Sequence, residues 1–377
     1  MSLGATDIQP LIIPALAALI GATVGTLAVR TFARRFNIVN KPNPIVPQHT
    51  RPVAYLGGVG LAIGAACGML ALFLTGQGDE ALAVFPFASS VIPAVLFLAL
   101  GVVDDLVTFK PAKKFVLQAG VAALAVGLGL WCPLTGITLV DRALCWFWIV
   151  TLVNAFNFTD VCDGLLGSLS AVMFAFIAFA FPTVAPIAIV CAAASVGFLV
   201  FNKPPATIFL GDAGSHLLGF VAAALTVVGA SDAGAAPMSR LIAPLFLVIV
   251  PLFELTFLTV VRIRKGLAWW RGSPDHFSLR LQAGGFSRLQ TDTIACTFAA
   301  AFGVGALMLP QLGFAGRGGV VAGAVVVCLI AAKTLLRWEV KPKPKPQASA
   351  DPAEHSRSSI GSPPGTQAVS SPSQVTR

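Results

Sequence analysis

Six aspartates mark where this sequence could do chemistry: Asp104, Asp105, Asp160, Asp163, Asp212 and Asp275. Asp104 and Asp105 close the run Gly101-Val-Val-Asp-Asp. Helix neighbours point about 100° apart, so one carboxylate can face a site while the other anchors to backbone or to a lysine. In Asn154-Ala-Phe-Asn157-Phe-Thr-Asp160-Val-Cys-Asp163-Gly164, four polar groups recur every third residue after a very apolar run. That spacing predicts one slowly drifting helical stripe. In Phe209-Leu-Gly211-Asp212-Ala-Gly214-Ser215, glycines flank an aspartate. Backbone can then approach a ligand closely, and N–H groups at a helix start suit phosphate oxygens. Capping by Asp212 or Ser215 is the rival reading. The stretch Arg262 to Gln290 adds Asp275, His276 and Arg280 among many basic residues, groups able to grip a phosphate-bearing substrate. Gathered carboxylates call for a cation, and hard divalent ions prefer oxygen ligands.

The elements that must position these residues follow from composition. Of 377 residues, 56% are apolar and only 11% charged. A soluble domain carries roughly 25% charged residues, so an ordinary water-soluble enzyme is excluded. A mainly disordered chain is excluded too, because it needs few apolar residues and much charge. The expected fold is all-α: a polytopic membrane helix bundle.

A span needs about 20 mostly apolar residues. Eleven stretches qualify, near 8–29, 54–75, 84–103, 115–131, 143–159, 164–182, 184–201, 214–230, 239–261, 291–310 and 317–337. With the N-terminus outside, every basic residue except Arg142, Arg240 and Arg317 falls on the cytoplasmic side. Losing one central span would invert everything downstream and spoil that asymmetry. The same topology collects the six aspartates on the cytoplasmic face and leaves Asp7, Asp79, Glu80, Asp141 and Asp232 as external loop residues. Glu254 lies deep in the ninth span and needs a partner. His49 and His216 read as local hydrogen-bonders. The seven cysteines lie singly, mostly in apolar runs, and read as small packed hydrophobes. Residues 1–340 form the expected transmembrane catalytic domain. Residues 341–377, rich in Pro and Ser, read as a disordered cytoplasmic tail.

Taken in order, these segments resemble the polyprenyl-phosphate N-acetylhexosamine-1-phosphate transferases, the glycosyl transferase family 4 enzymes. That family includes the undecaprenyl-phosphate GlcNAc-1-phosphate transferases and the peptidoglycan translocase. Four stretches between about residues 37 and 285 carry the likeness. They are Asn40-Lys-Pro42-Asn43 with Arg51-Pro52 and Gly57-Gly58; Asp104-Asp105 with Pro111, Lys114 and Gln118; the Asn154 to Leu165 signature; and Phe201 to Ser215. Two positions depart from the pattern. Asn40 stands where the family has a leading Asp, and His276-Phe-Ser-Leu-Arg280 keeps one histidine and the arginine of a His-x-His-His-Arg run.

The resemblance implies transfer of a sugar-1-phosphate from a UDP-sugar to polyprenyl phosphate, giving polyprenyl-diphospho-sugar and UMP, with Mg2+ as cofactor. The setting would be the inner or plasma membrane, in cell-wall or surface-polysaccharide synthesis, with no nucleic acid and with a homodimer open. It casts Asp104, Asp105 and Asp163 as catalytic and Asp212 with Asn157 as metal ligands. Lys114, Asn157, Asp160, His276 and Arg280 would bind substrate. The alternative is a multi-pass transporter or ion-coupled carrier, against which stands the gathering of acids at one surface rather than the bilayer midplane.

Overall fold

A computed structural model of the chain describes residues 9–42, 50–78, 87–231 and 237–340. The proposed tail, together with Asp7, Asn43, His49, Asp79, Glu80 and Asp232, lies outside the described residues. Within them the chain forms thirteen α-helices: α1 (Ile12–Arg35), α2 (Gly57–Leu74), α3 (Phe87–Val107), α4 (Pro111–Gly127), α5 (Thr138–Thr159), α6 (Leu165–Ala180), α7 (Ala185–Asn202), α8 (Gly211–Ala230), α9 (Pro237–Leu247), α10 (Ile249–Arg264), α11 (Phe277–Ala283), α12 (Arg288–Met308) and α13 (Phe314–Leu335).

Each of the eleven apolar stretches carries a helix, but not each helix is a full span. Eight are long and apolar enough to cross a membrane. A ninth is broken: α9 and α10 meet at 79° across Val248. Pro244 and Pro251 flank that break, where a missing N–H and a ring clash weaken the helical ladder. Apolar α6 has 16 residues and α4 has 17, so both are short for the hydrocarbon core. The chain is therefore a multi-pass helical membrane protein. Its outer helices say the same: α1 exposes Ile12, Ile13, Leu16, Ile20 and Val24, side chains that lipid can cover and water cannot.

Helix α8 is the axis of the bundle and is almost wholly buried. It packs against α3 and α5, while α1 packs on α2 and α7, and α6 on α7 and α12. Two short strands, β1 (Val39–Asn40) and β2 (Val53–Ala54), pair antiparallel with Val39 opposite Ala54. Strand β2 is stitched to the segment before α8. Phe209 N donates to Ala54 O at 2.9 Å, and Gly57 N and Gly58 N donate to Phe209 O and Leu210 O at 2.9 and 2.8 Å. These bonds lay the first loop across the end of the bundle where the aspartates gather.

Asp141 is a correction. It is not an ordinary loop residue: it sits in the first turn of α5, 1% exposed, and accepts hydrogen bonds from Thr135 N and Thr135 Oγ1 at 2.7 and 2.8 Å. It ties the α4–α5 connection to the helix that follows.

Candidate active site

Asp104 and Lys114 come from opposite sides of a tight corner. Helix α3 ends at Val107 and α4 opens on Pro111, whose fixed φ suits a first helical position. Phe109 N donates to Asp104 Oδ1 at 2.5 Å and locks the corner. Lys114 Nζ then bridges Asp104 Oδ2 at 3.0 Å and Asp212 Oδ2 at 2.8 Å, and reaches Asn157 Oδ1 at 3.3 Å. Asn157 Nδ2 donates to Asp212 Oδ1 and, at 3.0 Å, to Ser215 Oγ. Four of the expected site residues, from α3, α4, α5 and α8, thus meet around one ammonium.

Asp105 does different work. Its two oxygens accept from Asp212 N at 2.7 Å and Ala213 N at 3.2 Å. The donors that the Gly-Asp-Ala-Gly pattern offered to a phosphate are therefore taken, and the cap of α8 is neither Asp212 nor Ser215 but a carboxylate from α3. Gly211 permits this contact. Its φ is +77°, and a Cβ there would lie 2.5 Å from Asp105 Oδ2. Gly101 allows the same approach one turn earlier, because a Cβ there would collide with the Asp212 carbonyl.

The Asn/Asp stripe splits. Asn154 and Asn157 stay on α5, whereas Asp160 leaves the helix at ψ 64° and Asp163 lies in the turn that Gly164 ends at φ +80°. The turn aims the two halves into separate cavities. The first, of about 550 Å3, is lined by Asp104, Asp105, Lys114, Asn154, Asn157 and Asp212, with Phe115, Trp269 and Trp270 as its apolar wall. The second, of about 440 Å3, is lined by Arg51, Asp160, Asp163, Asn202, Gln282 and Arg288. Asn40 and Tyr55 line both and stand between them.

In the second cavity Asp163 accepts from Arg288 Nη1 and, at 3.1 Å, from Ala206 N. Asn202 Oδ1 accepts from Gly164 N at 3.1 Å while its amide donates to Ile208 O at 2.9 Å, holding the turn against the α7–α8 loop. Burial, then the charges of Asp212 and Asp163, push the Asp160 carboxyl up to about 7. Tyr55 is held well above its ordinary value by burial and by Asp105, Asp212 and Asp160, so its hydroxyl stays protonated between the cavities.

His276 and Arg280 are not brought to either cavity. His276 Nδ1 pairs with Glu254 Oε1 at 2.7 Å, and Phe277 N donates to Glu254 Oε2 at 3.1 Å, which supplies the partner that Glu254 needed. Arg280, 1% exposed, gives its guanidinium to Asp275 Oδ1 at 2.6 Å and to the carbonyls of Leu335 and Trp338 at 3.2 and 3.0 Å. Helix α11 touches the site region through other residues: Cys162 Sγ meets Ser278 Oγ at 3.3 Å and Gln282 Nε2 at 3.0 Å. His216 is fully buried and bonds across to α4, with its Nε2 at 3.0 Å from Gln118 Nε2.

Sequence reasoning missed Tyr55, Arg288 and the tryptophans. Tyr55 is the sole tyrosine of the chain, two residues before Gly57-Gly58, and that was the available signal. Arg288 looked like one more positive loop residue.

With this geometry in hand, comparison with known proteins points the same way. Residues 87–230, from α3 through α8, match the family model for glycosyl transferase family 4. Over that segment the chain is similar to that family. It is 26% identical over 313 residues to a probable undecaprenyl-phosphate N-acetylglucosaminyl 1-phosphate transferase of Bacillus subtilis, covering 79% of this chain and 85% of that one. It is 29% identical over 314 residues to the decaprenyl-phosphate N-acetylglucosaminephosphotransferase of Mycolicibacterium smegmatis, covering 72% and 76%. A shorter match, 34% over 155 residues, joins it to the phospho-N-acetylmuramoyl-pentapeptide-transferase of Deinococcus radiodurans, covering 34% of this chain and 48% of that one. The matched family 4 segment contains Asp104, Asp105, Lys114, Asn157, Asp160, Asp163 and Asp212.

Proposed function

We propose that this protein is a membrane phosphoglycosyltransferase that moves an N-acetylhexosamine-1-phosphate from a UDP-sugar to polyprenyl phosphate in cell-envelope polysaccharide synthesis. The observation that carries the reading is the pair of polar cavities meeting at Asn40 and Tyr55, with the Asp104–Lys114–Asp212–Asn157 cluster in one and Arg51, Arg288, Asp160 and Asp163 in the other. A two-substrate reaction between anions needs such a shared border. The relatives' printed names supply the substrate classes, and N-acetylglucosamine, named in two of the three, is the first sugar to test.

In this reading the acceptor phosphate enters the first cavity, beside Lys114 and below Phe115 and the tryptophans, which face the first isoprene units. The UDP-sugar lies in the second, its negative charge met by Arg51 and Arg288. An acceptor phosphate oxygen attacks the β-phosphorus. The bond to the bridging oxygen breaks, and UMP leaves. A phosphate monoester is already ionised near neutral pH, so Asp104 need not act as a base. Lys114 neutralises charge as the two phosphates approach. Asp105 acts as a positioning residue, holding Asp212 through the backbone of α8.

Magnesium fits the donor set. Two carboxylates, Asp104 and Asp212, face one lysine at this point, which leaves negative charge to be balanced. Among the described residues no group of three His, Cys, Asp or Glu is arranged to enclose a metal. Mg2+ needs none, since it binds through one or two carboxylates and completes its shell with water and substrate phosphate. Asp212 and Asn157 would hold it, with Asp104 beside them. When bound it would neutralise the diphosphate and draw Asp160 back to its ionised form.

The topology that goes with this chemistry has eleven spans, the N-terminus outside and both cavities open to the cytoplasm of the inner or plasma membrane, where nucleotide sugars are. The carrier reading has no support in the relatives. The deciding experiment incubates purified protein in lipid with polyprenyl phosphate and radiolabelled UDP-sugars. A Mg2+-dependent lipid-linked sugar with equimolar UMP is expected. Substrate uptake without a lipid product would overturn the proposal.

A further inference from the structure

At the end of the bundle away from the acid cluster, two thiols face each other. Lys114 lies in the first turn of α4 and Asn157 in the last turn of α5, so the connection 128–137 between those helices lies at the opposite end from both. Cys132 is in that connection and Cys145 is two turns into α5, and their sulfurs are 4.0 Å apart. Both are 2% exposed. The loop that carries Cys132 is pinned on each side. Leu130 N donates to Ala125 O at 3.0 Å at the end of α4, and Thr135 donates twice to Asp141 on α5. The Arg142 guanidinium lies 5.3 Å from the Trp131 ring centroid and braces the same corner. The arrangement holds the two thiols facing each other across 13 residues.

We propose that Cys132 and Cys145 are a modification site: they form a disulfide that fastens the α4–α5 connection on the outer face. The inference rests on the proposed topology. If the acid cluster faces the cytoplasm, this pair faces the oxidising side, where disulfides persist. The sulfurs have to close by about 2 Å to reach bonding distance, within the reach of side-chain rotation and a small loop movement. In the reaction the two Sγ–H groups lose two protons and two electrons and one S–S bond forms. The electrons cleave the disulfide of a thiol–disulfide oxidoreductase to two thiols, by exchange through a mixed disulfide. Oxidation precedes burial, as the connection is delivered across the membrane and before α5 packs on α8. The other five cysteines have no such partner sulfur among the described hydrogen-bonding contacts.

The test traps membranes from cells in acid, blocks free thiols with a maleimide and digests without reductant. Trypsin cuts after Arg142, between the two cysteines. A disulfide therefore keeps two peptides joined, and fragmentation assigns the bond to Cys132 and Cys145. The linked pair should vanish with reductant and in Cys132→Ser. Reductant should lower the melting temperature of the wild-type protein and leave that of a Cys132→Ser/Cys145→Ser protein unchanged. Maleimide on both cysteines of trapped wild-type protein, or a bond to Cys162 or Cys191 instead, overturns the inference without needing any variant to fold. The same preparation is assayed for lipid-linked sugar. Active enzyme with free thiols defeats the disulfide alone, and a linked pair in protein that makes no lipid-linked sugar defeats the proposed function alone.

Discussion

Two clusters in this molecule use the same side chains to opposite ends. Beside α8, Asp104, Asp212 and Lys114 meet at the wall of a cavity, where the Asp212 and Lys114 side chains stay 22% and 17% exposed. In the α10–α11 segment, Asp275 is closed between Lys265 at 2.8 Å and Arg280 at 2.6 Å, and Glu254 between His276 and the Phe277 amide. In the second cluster the donors and acceptors are spent on each other and on the backbone. The comparison teaches that residue type and spacing nominate a site, while unfilled bonding capacity at a cavity makes one. A saturated ion pair holds a fold; an unsaturated one can hold a substrate.

The widest separation between the two should come from Asp212→Asn. The amide keeps the size and can still bond Asn157 or Ser215, but removes the charge that faces Lys114 and a divalent ion. We expect UMP release to fall by about 10^3-fold, the scale of losing one organised electrostatic contact, with the melting temperature little changed. Near-normal turnover would remove Asp212 from the chemistry and dissolve the contrast.

Arg280→Ala should do the reverse. It leaves the 2%-exposed Asp275 with Lys265 as its charged partner and strands the carbonyls of Leu335 and Trp338 at the end of α13. Breaking a buried pair costs about 3 kcal/mol, so thermal stability in lipid should drop steeply. The protein that remains folded should keep its turnover number and its Michaelis constant for UDP-sugar. A raised Michaelis constant with unaltered melting would put Arg280 back at the substrate.

These two variants also measure how far the sequence could be read. The Asp-Asp pair, the Asn157 position and the Gly-Asp-Ala-Gly-Ser loop were legible because each is a local pattern with few innocent uses in an apolar chain. The apolar stretches were legible as helices for the same reason, although among the described residues eight, or nine with the broken α9–α10 pair, reach membrane-crossing length. What separated Arg280 from Lys114 was not. Both are cations in basic loops, and only the packing of α11 against the end of α13 decides that one is consumed. Tyr55 and Arg288 were hidden likewise: their roles come from strand β2 crossing to the α7–α8 loop and from α12 reaching Asp163, pairings between distant parts of the chain. The splitting of the Asn/Asp stripe turned on Gly164 adopting a left-handed conformation, which helical periodicity ignores.

Asp105 tests the border between the two behaviours, since it is saturated by backbone yet sits at the site. Asp105→Ala strands the Asp212 and Ala213 amides, at a cost of about 2 kcal/mol in stability. It should also lower turnover, because Asp212 loses its support, with the Michaelis constants little affected. Asp105→Asn, which retains one accepting oxygen, should recover part of both. Equal rates for the two variants would mean that position 105 is only a bulk contact.

Lys114→Ala should be milder than Asp212→Asn, because a bound divalent ion can take over much of the charge balance once the ammonium is gone. We expect the Michaelis constant for polyprenyl phosphate, whose phosphate would enter the cavity beside Lys114, to rise about tenfold, the effect of losing one charge-assisted contact of about 1.4 kcal/mol. An unchanged constant would leave the lysine as a topological residue that happens to sit between two aspartates.

The smallest effect expected is a pH dependence confined to the saturated cluster. Burial tends to raise the Asp275 carboxyl, but the hydrogen bonds and charges of Lys265 and Arg280 outweigh it and hold the group below its ordinary range. A carboxyl depressed in the folded state contributes stability above its unfolded pKa, near 3.9, and loses that contribution as pH falls through the folded value. The melting temperature of the wild-type protein should therefore decline more steeply on acidification below about pH 4 than that of Asp275→Asn, which has no charge to lose. The variant should melt lower at neutral pH, and the two curves should converge in acid. Parallel curves would show that Asp275 is not ionised in its pocket, and that the α10–α11 cluster is held by hydrogen bonds without the charge that distinguishes it from an ordinary buried turn.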